Sequence, residues 1–204
     1  MTTHPSSDPD SERYAVIRAG FDGDHKTARQ ALDHGDPLVR VSALRALARL
    51  GHIQDDDLMI ATRDNDSAVR RCGAELSATH PHVDLVPLLA DTDIFVAEMV
   101  AWAMGEREQP SDNDVLALID AVYHHKEVLV REAATAALGS LGDARGLPAI
   151  LLACTDKPAV RRRAVLALAP FDGPEVDAAL ETAKTDRDWQ VRQNAEDMLH
   201  PRGY

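Results

Sequence analysis

One alternation of apolar and polar residues recurs along nearly the whole chain. Its clearest copies read Val39-Arg40-Val41-Ser42-Ala43-Leu44-Arg45-Ala46-Leu47 and Val130-Arg131-Glu132-Ala133-Ala134-Thr135-Ala136-Ala137-Leu138. Further copies begin at Val69-Arg70, Val160-Arg161 and Val191-Arg192, and a degenerate one at Val96-Ala97. Apolar residues fall at 0, +4, +7 or +8 and +11 from the anchoring valine, as in Val160, Ala164, Ala167, Leu168 and Phe171. That is the spacing of a helix with one buried stripe. The anchors follow one another by 30, 27, 34, 30 and 31 residues, which is room for two short helices and their turns.

The flanks of each copy supply the helix ends. A short acceptor side chain satisfies the unpaired N–H groups of a first turn, and Asp36-Pro37, Asp66-Ser67, Asp93 and Asp156-Lys157-Pro158 stand in that place. Pro37 and Pro158 suit first-turn positions, and Gly51 and Gly142 follow the last apolar residues as stops. Between the copies lie second amphipathic segments at about 25–34, 54–64, 83–91, 112–124, 144–155 and 174–185. A helix from Ser11 to Phe21 has no partner copy and is expected to cover one end of the stack.

Composition agrees with an all-helical chain: 45% of residues are hydrophobic but only 4% aromatic, so Ala, Leu and Val fill the interior. The net charge of −12, with the basic residues scattered, repels phosphate backbones and anionic lipid; neither a nucleic acid nor a membrane is expected as partner. Cys72 and Cys154 form no CxxC pair and predict neither a disulfide scaffold nor a zinc module. The polar stretch Met1 to Arg13 lacks the pattern of a secretory signal, and no apolar run is long enough to span a bilayer. A cytoplasmic location is expected.

The phrase Val-Arg-x-x-Ala-x-x-Ala-Leu-x-x-Leu-Gly, preceded by Asp, resembles the HEAT repeat, in the variety noted in phycobilin lyases and in a bacterial type. Residues 126–142 match it at nearly every position, residues 36–51 almost as well, and the resemblance covers about 25 to 200. It implies an all-α fold: a right-handed α–α superhelix, or α-solenoid, of about six HEAT-like helix pairs with an N-terminal capping helix. Residues 11–204 would form this single domain after a polar segment, 1–10. Such arrays serve as adaptors, assembly factors and occasionally enzymes. The expectation is a non-catalytic scaffold, monomeric or weakly oligomeric, that docks another protein or a peptide. The alternative is a bilin lyase-like enzyme or chromophore chaperone. A bilin's two propionates call for arginine beside an aromatic, for which Trp102 with Arg71 are the candidates.

An arginine follows the anchor at Arg40, Arg70, Arg131, Arg161 and Arg192, and an acid precedes the anchor by three at Asp36, Asp66, Asp93, Glu127 and Asp188. A guanidinium there can bridge the acidic start of its own or a neighbouring helix through a bidentate contact. This resembles the Asp–Arg ladder of HEAT arrays, a packing device repeated with the period.

If the second helices line the concave surface, as the resemblance implies, the positions off the apolar stripe face a partner. The predicted partner-binding residues are Arg45, Arg71, Glu75, Glu98, Met99, Trp102, Glu132, Arg162 and Arg163. The third copy is irregular, with Ala97 in place of the ladder arginine and bulky Met99 and Trp102 where other copies are small or polar. Trp is enriched among residues that dominate interface energy, and Met adapts to varied shapes; the competing reading is that both belong to the core. Of Arg161-Arg162-Arg163, the first belongs to the ladder. The other two are free, or balanced by Asp156, Asp172 and Glu175.

Nine histidines raise the question of a metal. His80 and His82 flank a turn proline, and His124-His125 close a helix, where a cation is favourable. The di-iron hydroxylase built on HEAT repeats uses His-Glu pairs, and no His is followed by Glu here. Asp55-Asp56-Asp57 reads as an acidic first turn. No nucleophile elbow or phosphate loop occurs, and an alkylpurine DNA glycosylase would need a basic, aromatic groove. Neither cofactor nor metal is expected.

Overall fold

The computed structural model describes residues 9–200. Among them are twelve α-helices and no β-strand, as the 3.6-residue period requires. The chain divides into two compact units, Met1–Val83 and Asp84–Tyr204. The first holds α1 (Pro9–Asp22), α2 (His25–Gln30), α3 (Pro37–Arg49), α4 (Asp55–Ala61) and α5 (Ser67–Leu76). The second holds α6 (Ile94–Gly105), α7 (Asp112–His124), α8 (Val128–Leu141), α9 (Leu147–Ala153), α10 (Pro158–Ala167), α11 (Pro174–Ala183) and α12 (Trp189–Leu199). Of the polar segment 1–10, residues 1–8 lie outside the described residues, and Pro9 and Asp10 already belong to α1.

The aspartates start the helices as their position requires. Asp36, Asp66, Asp93 and Asp188 accept the N–H of Leu38, Ala68, Phe95 and Gln190 at 2.7, 2.8, 2.9 and 2.9 Å. The expected cap at Asp156 is different. Lys157 occupies the cap position of α10 and makes no side-chain bond there, its ammonium having no acceptor to offer, while the Asp156 carboxylate is turned to the Lys157 N–H and to Arg131. Gly142 ends α8 in the left-handed conformation, which costs glycine little.

The segment 83–91 does not form the helix expected before the third copy. It makes only the 3-10 turn Val86–Ala90, with Pro87 in its first turn. This is the shortest repeat, and proline removes a backbone donor just where a longer helix would need one. Leu88 and Leu89 are nonetheless buried, so the turn still closes the core.

Packing follows the phrase. All six anchors, Val39, Val69, Val96, Val130, Val160 and Val191, are buried. In the first unit α3 packs on α1 and α5; in the second α8 packs on α6 and α10, and α10 on α12. These helices hold one register. A Cβ built on Gly105 would lie 2.7 Å from Cα and Cβ of Ala137, and one on Gly139 would lie 2.6 Å from the same atoms of Ala167. In both cases the +9 position of one helix meets the +7 position of the next, and only glycine permits so close an approach. Gly20 lies against Ala46 in the same way, which gives α1 the register of a second helix and its role as cover for α3. At the end of α6, Arg107 donates to Asp114 on α7 at 2.8 Å, both side chains being buried. Asp114 also accepts from Ser111 N in a capping box.

Candidate functional site

The arginine ladder is present with a different acid from the one its spacing suggests. Arg40 grips Asp64 through Nε and Nη2 at 2.8 and 2.7 Å. Arg131 holds Asp156 at 2.6 and 3.0 Å, and Arg161 holds Asp186 at 2.8 and 2.7 Å. The third donor, Nη1, reaches loop carbonyls: those of His34 and Gly35 for Arg40, His125 and Lys126 for Arg131, and Asp156 for Arg161. The acids three residues before the anchors, Asp36, Asp66, Asp93 and Asp188, cap helix starts, and Glu127 makes no side-chain cap. Asp64 and Asp186 stand two residues earlier. Each accepts the N–H of the capping aspartate, at 2.8 and 2.7 Å, and still offers its oxygens to the preceding repeat.

Bidentate pairing of this kind fixes orientation as well as charge. The Arg131 and Arg161 guanidinium groups hold the Asp156 and Asp186 carboxyls below the usual range. At Asp64 burial opposes the charge, but the bonds from Arg40 and the Asp66 N–H outweigh it and its carboxyl too is lowered. All three rungs are therefore ion pairs at neutral pH. Two rungs depart from the rule. Glu12 on α1 stands in the arginine position and meets His34 Nε2 at 2.7 Å; His34 Nδ1 accepts the Asp36 N–H, which leaves the ring proton on Nε2. At the third copy Ala97 is buried and has no side chain to offer. The acid position that follows it is His125, whose Nδ1 accepts the Glu127 N–H at 3.2 Å.

The residues expected to meet a partner divide between the units. Arg45, Arg71 and Glu75 lie in the first, where Arg45 Nη2 donates to Glu75 at 3.1 Å across α3 and α5 and Arg71 is exposed on α5. In the second, Glu132 on α8 faces Arg163 on α10 at 3.7 Å, and Arg162 donates through Nε and Nη2 to Asp188. Arg162 and Arg163 are thus neither free nor balanced by Asp156, Asp172 and Glu175. Their counterions come from the neighbouring repeats: Glu132 at +2 of α8 for Arg163, and Asp188 at the cap of α12 for Arg162.

Trp102 is 44% exposed, which overturns the reading of it as core. Phe95 at 52% and Leu166 at 45% share its face, since positions −1 and +6 are two helical turns apart. Met99, Leu129, Ala133 and Ala136 are half-buried among them. Phe95, Leu129 and Leu166 were missed from the sequence; the signal was there, in apolar residues at −1 and +6, outside the stripe that packs the core. In the first unit the equivalent face carries Tyr14, Ile17 and Phe21 of α1, all exposed, with the Arg49 guanidinium 4.2 Å above the Phe21 ring.

The first helices of the pairs carry a separate feature in the first unit. A cavity of about 250 Å³ is floored by Leu32, Leu44, Ile60, Ala61 and Val69 and rimmed by the Arg40–Asp64 and Arg29–Asp57 pairs. Of the candidate metal ligands, His80 meets Asp55 at 2.6 Å, His124 meets Asp120 at 2.8 Å, and Asp57 accepts from Arg29 and the Gln54 N–H. Among the described residues no helix is long and apolar enough to cross a membrane.

Residues 117–200 match the family of HEAT repeats. No curated protein sequence matches the chain. Among solved structures it is similar to an engineered protein at 20% identity and a TM-score of 0.63, covering 96% of this chain and 65% of that one. It is also similar to the Escherichia coli protein YibA at 18% identity and a TM-score of 0.63, covering 98% of this chain and 77% of that one. A designed armadillo repeat protein matches at 17% identity and a TM-score of 0.48, covering 96% and 95%. The chain spans about two thirds of the length of the engineered protein. The two likenesses at a TM-score of 0.63 show the fold, an all-helical repeat array.

Proposed function

We propose that this array is a non-catalytic scaffold whose second helices dock a partner protein or peptide, with Phe95, Met99 and Trp102 of α6 as the anchors. The observation that carries the reading is the exposure of Trp102. Position +6 holds the charged Arg45 and Glu75 in the two preceding helices, paired with each other, whereas in the second unit it holds Trp102, Ala136 and Leu166. Water-exposed aromatic and aliphatic groups on one face mark interaction surfaces when they are contiguous, and a central Trp is the residue type that most often dominates an interface. Small Ala133 and Ala136 beside it leave room for a partner's side chains. The ion pairs Glu132–Arg163 and Arg162–Asp188 form a polar rim, which excludes water and orients more than it adds affinity. A net charge of −12 favours polypeptide over nucleic acid or anionic membrane as partner. On this reading the protein works in the cytoplasm as a monomer or weak oligomer.

Affinity capture from the native cell extract tests it with three proteins side by side: the unaltered chain, a Met99→Ala, Trp102→Ala variant, and an Ile60→Ala, Leu152→Ala variant altered on the first helices. A polypeptide retained by the first and third and lost by the second is expected, with affinity falling about thirtyfold for a central Trp. Equal retention by all three removes this face from consideration.

A further inference from the structure

The array's own pairing rule shows what the docking face lacks. In the second unit, position +2 of one helix faces position +3 of the next: Glu132 on α8 meets Arg163 on α10, and Asn194 on α12 donates to the Arg162 carbonyl at 3.2 Å. The α6–α8 contact has the register of the α8–α10 contact, since Gly105 meets Ala137 as Gly139 meets Ala167. By that register Glu98, at +2 of α6, faces Ala133, at +3 of α8. The acid has been kept and the arginine replaced by a methyl group. Glu98 also lies one helical turn before Trp102, and Glu106 one turn after it, so that α6 presents carboxylate, indole and carboxylate along one stripe.

Resting on the docking reading above, we infer that the partner segment supplies the missing cation: an arginine or lysine flanked by apolar residues. Its aliphatic stem lies over Ala133 and Ala136, and its charged end meets Glu98 and the Trp102 ring. Two interactions then act together. A charged donor to a carboxylate is among the stronger hydrogen bonds, and an indole is the best aromatic partner for a cation. The stem of Lys or Arg covers apolar surface while the head stays polar, which fits a groove floored by alanines and edged by acid. The acidic chain as a whole speeds the approach of such a segment.

The test uses a display library of random linear peptides selected on the full chain, followed by affinity measurements on the enriched sequences. Enrichment of Arg or Lys between apolar residues is expected, and replacing that Arg by citrulline should weaken binding about tenfold. The same replacement should make little difference on Glu98→Gln, the two changes being coupled. Ala133→Arg gives the array its own cation and should abolish binding, whereas Ala133→Met, of similar bulk without charge, should leave most of it. Peptides that need Trp102 but carry no basic residue, or tolerate citrulline, would overturn this inference and leave the docking reading standing. Enriched peptides that bind Trp102→Ala as well as the unaltered chain, or no enrichment at all, would overturn both.

Discussion

Removing the acid of one ladder rung is the sharpest test of what holds successive repeats together. The Arg161 side chain is 6% exposed and that of Asp186 15%, so Asp186→Ala strands a guanidinium that has lost two of its three acceptors and keeps only the Asp156 carbonyl. Leaving one partner of a buried pair uncompensated costs about 3–5 kcal/mol; the surviving carbonyl and partial access to water bring the expectation to about 2–3 kcal/mol. Urea unfolding followed by far-ultraviolet circular dichroism measures it, with attention to the slope, because repeat arrays lose cooperativity when an interface weakens. The double change Arg161→Met, Asp186→Leu removes both charges and should recover most of the loss, since an apolar replacement is close to neutral in such a site. Asp143→Asn is the control, because it keeps an acceptor for the Arg145 N–H and removes only the charge. Bonds from Arg145 hold the Asp143 carboxyl down at about 2, yet the Arg145 side chain is largely in water, which screens the pair, and the unfolding midpoint should barely move. A loss below about 0.5 kcal/mol for Asp186→Ala would place the rung among surface pairs and refute the argument.

Other consequences follow from the same contacts. Gly139→Ala would set a methyl 2.6 Å from Cα and Cβ of Ala167; the overpacking cost of about 1–3 kcal/mol should outweigh the gain in helix propensity of up to about 1 kcal/mol, and a thermal melt should show a net fall. The lowered carboxyls of Asp64, Asp156 and Asp186 contribute stability that is present above the unfolded value near 3.8 and lost as pH falls through their folded values; an acid titration of the unfolding free energy should steepen below about pH 4, and less so in Asp186→Ala. Burial pushes the half-buried Cys154 thiol up to about 11 and raises that of the buried Cys72, so a disulfide reagent at pH 8 should label Cys154 slowly and Cys72 more slowly still, and both at once when urea unfolds the chain. Truncation before Pro174 removes α11 and α12 and uncovers the side of α10 that packs on them; reduced helicity and solubility are expected, and their preservation would argue against stacking as the source of stability.

What was legible in the sequence is whatever depends on one helix at a time. The buried anchors, the aspartate caps and the glycine stops each follow from a few adjacent residues and the period. Offsets between helices were not legible. Whether Arg40 meets Asp66 or Asp64 depends on the path of a loop in the next repeat, which brings Asp64 to the guanidinium. The turn at 86–90 lies in a segment expected to be helical, and Pro87, between Leu85 and Leu88, carries the contrary signal. Arg107 escaped notice because it lies outside the recurring phrase, in the loop after α6, where no repeat rule applies. Of the site, Met99 and Trp102 were visible as exceptions to the phrase, whereas Phe95 and Leu166 were not. Each is ordinary for its own helix, and only the shared register of α6, α8 and α10 assembles them into a face.

A repeat array contains its own controls, and they separate two kinds of exception in α6. Ala97 breaks the ladder, but it is buried and small, and the neighbouring repeat answers it with His125 where others have an acid. That exception is settled inside the fold. Trp102 is different, because close to half of it, as of the neighbouring Phe95, stays in water and contributes nothing to folding through burial. Glu98 belongs with them, since its counterpart Glu132 has an arginine opposite and it faces an alanine. Two neighbouring apolar groups and an acid that the fold does not use describe together the complement they would fit: a segment with apolar side chains and a positive charge among them.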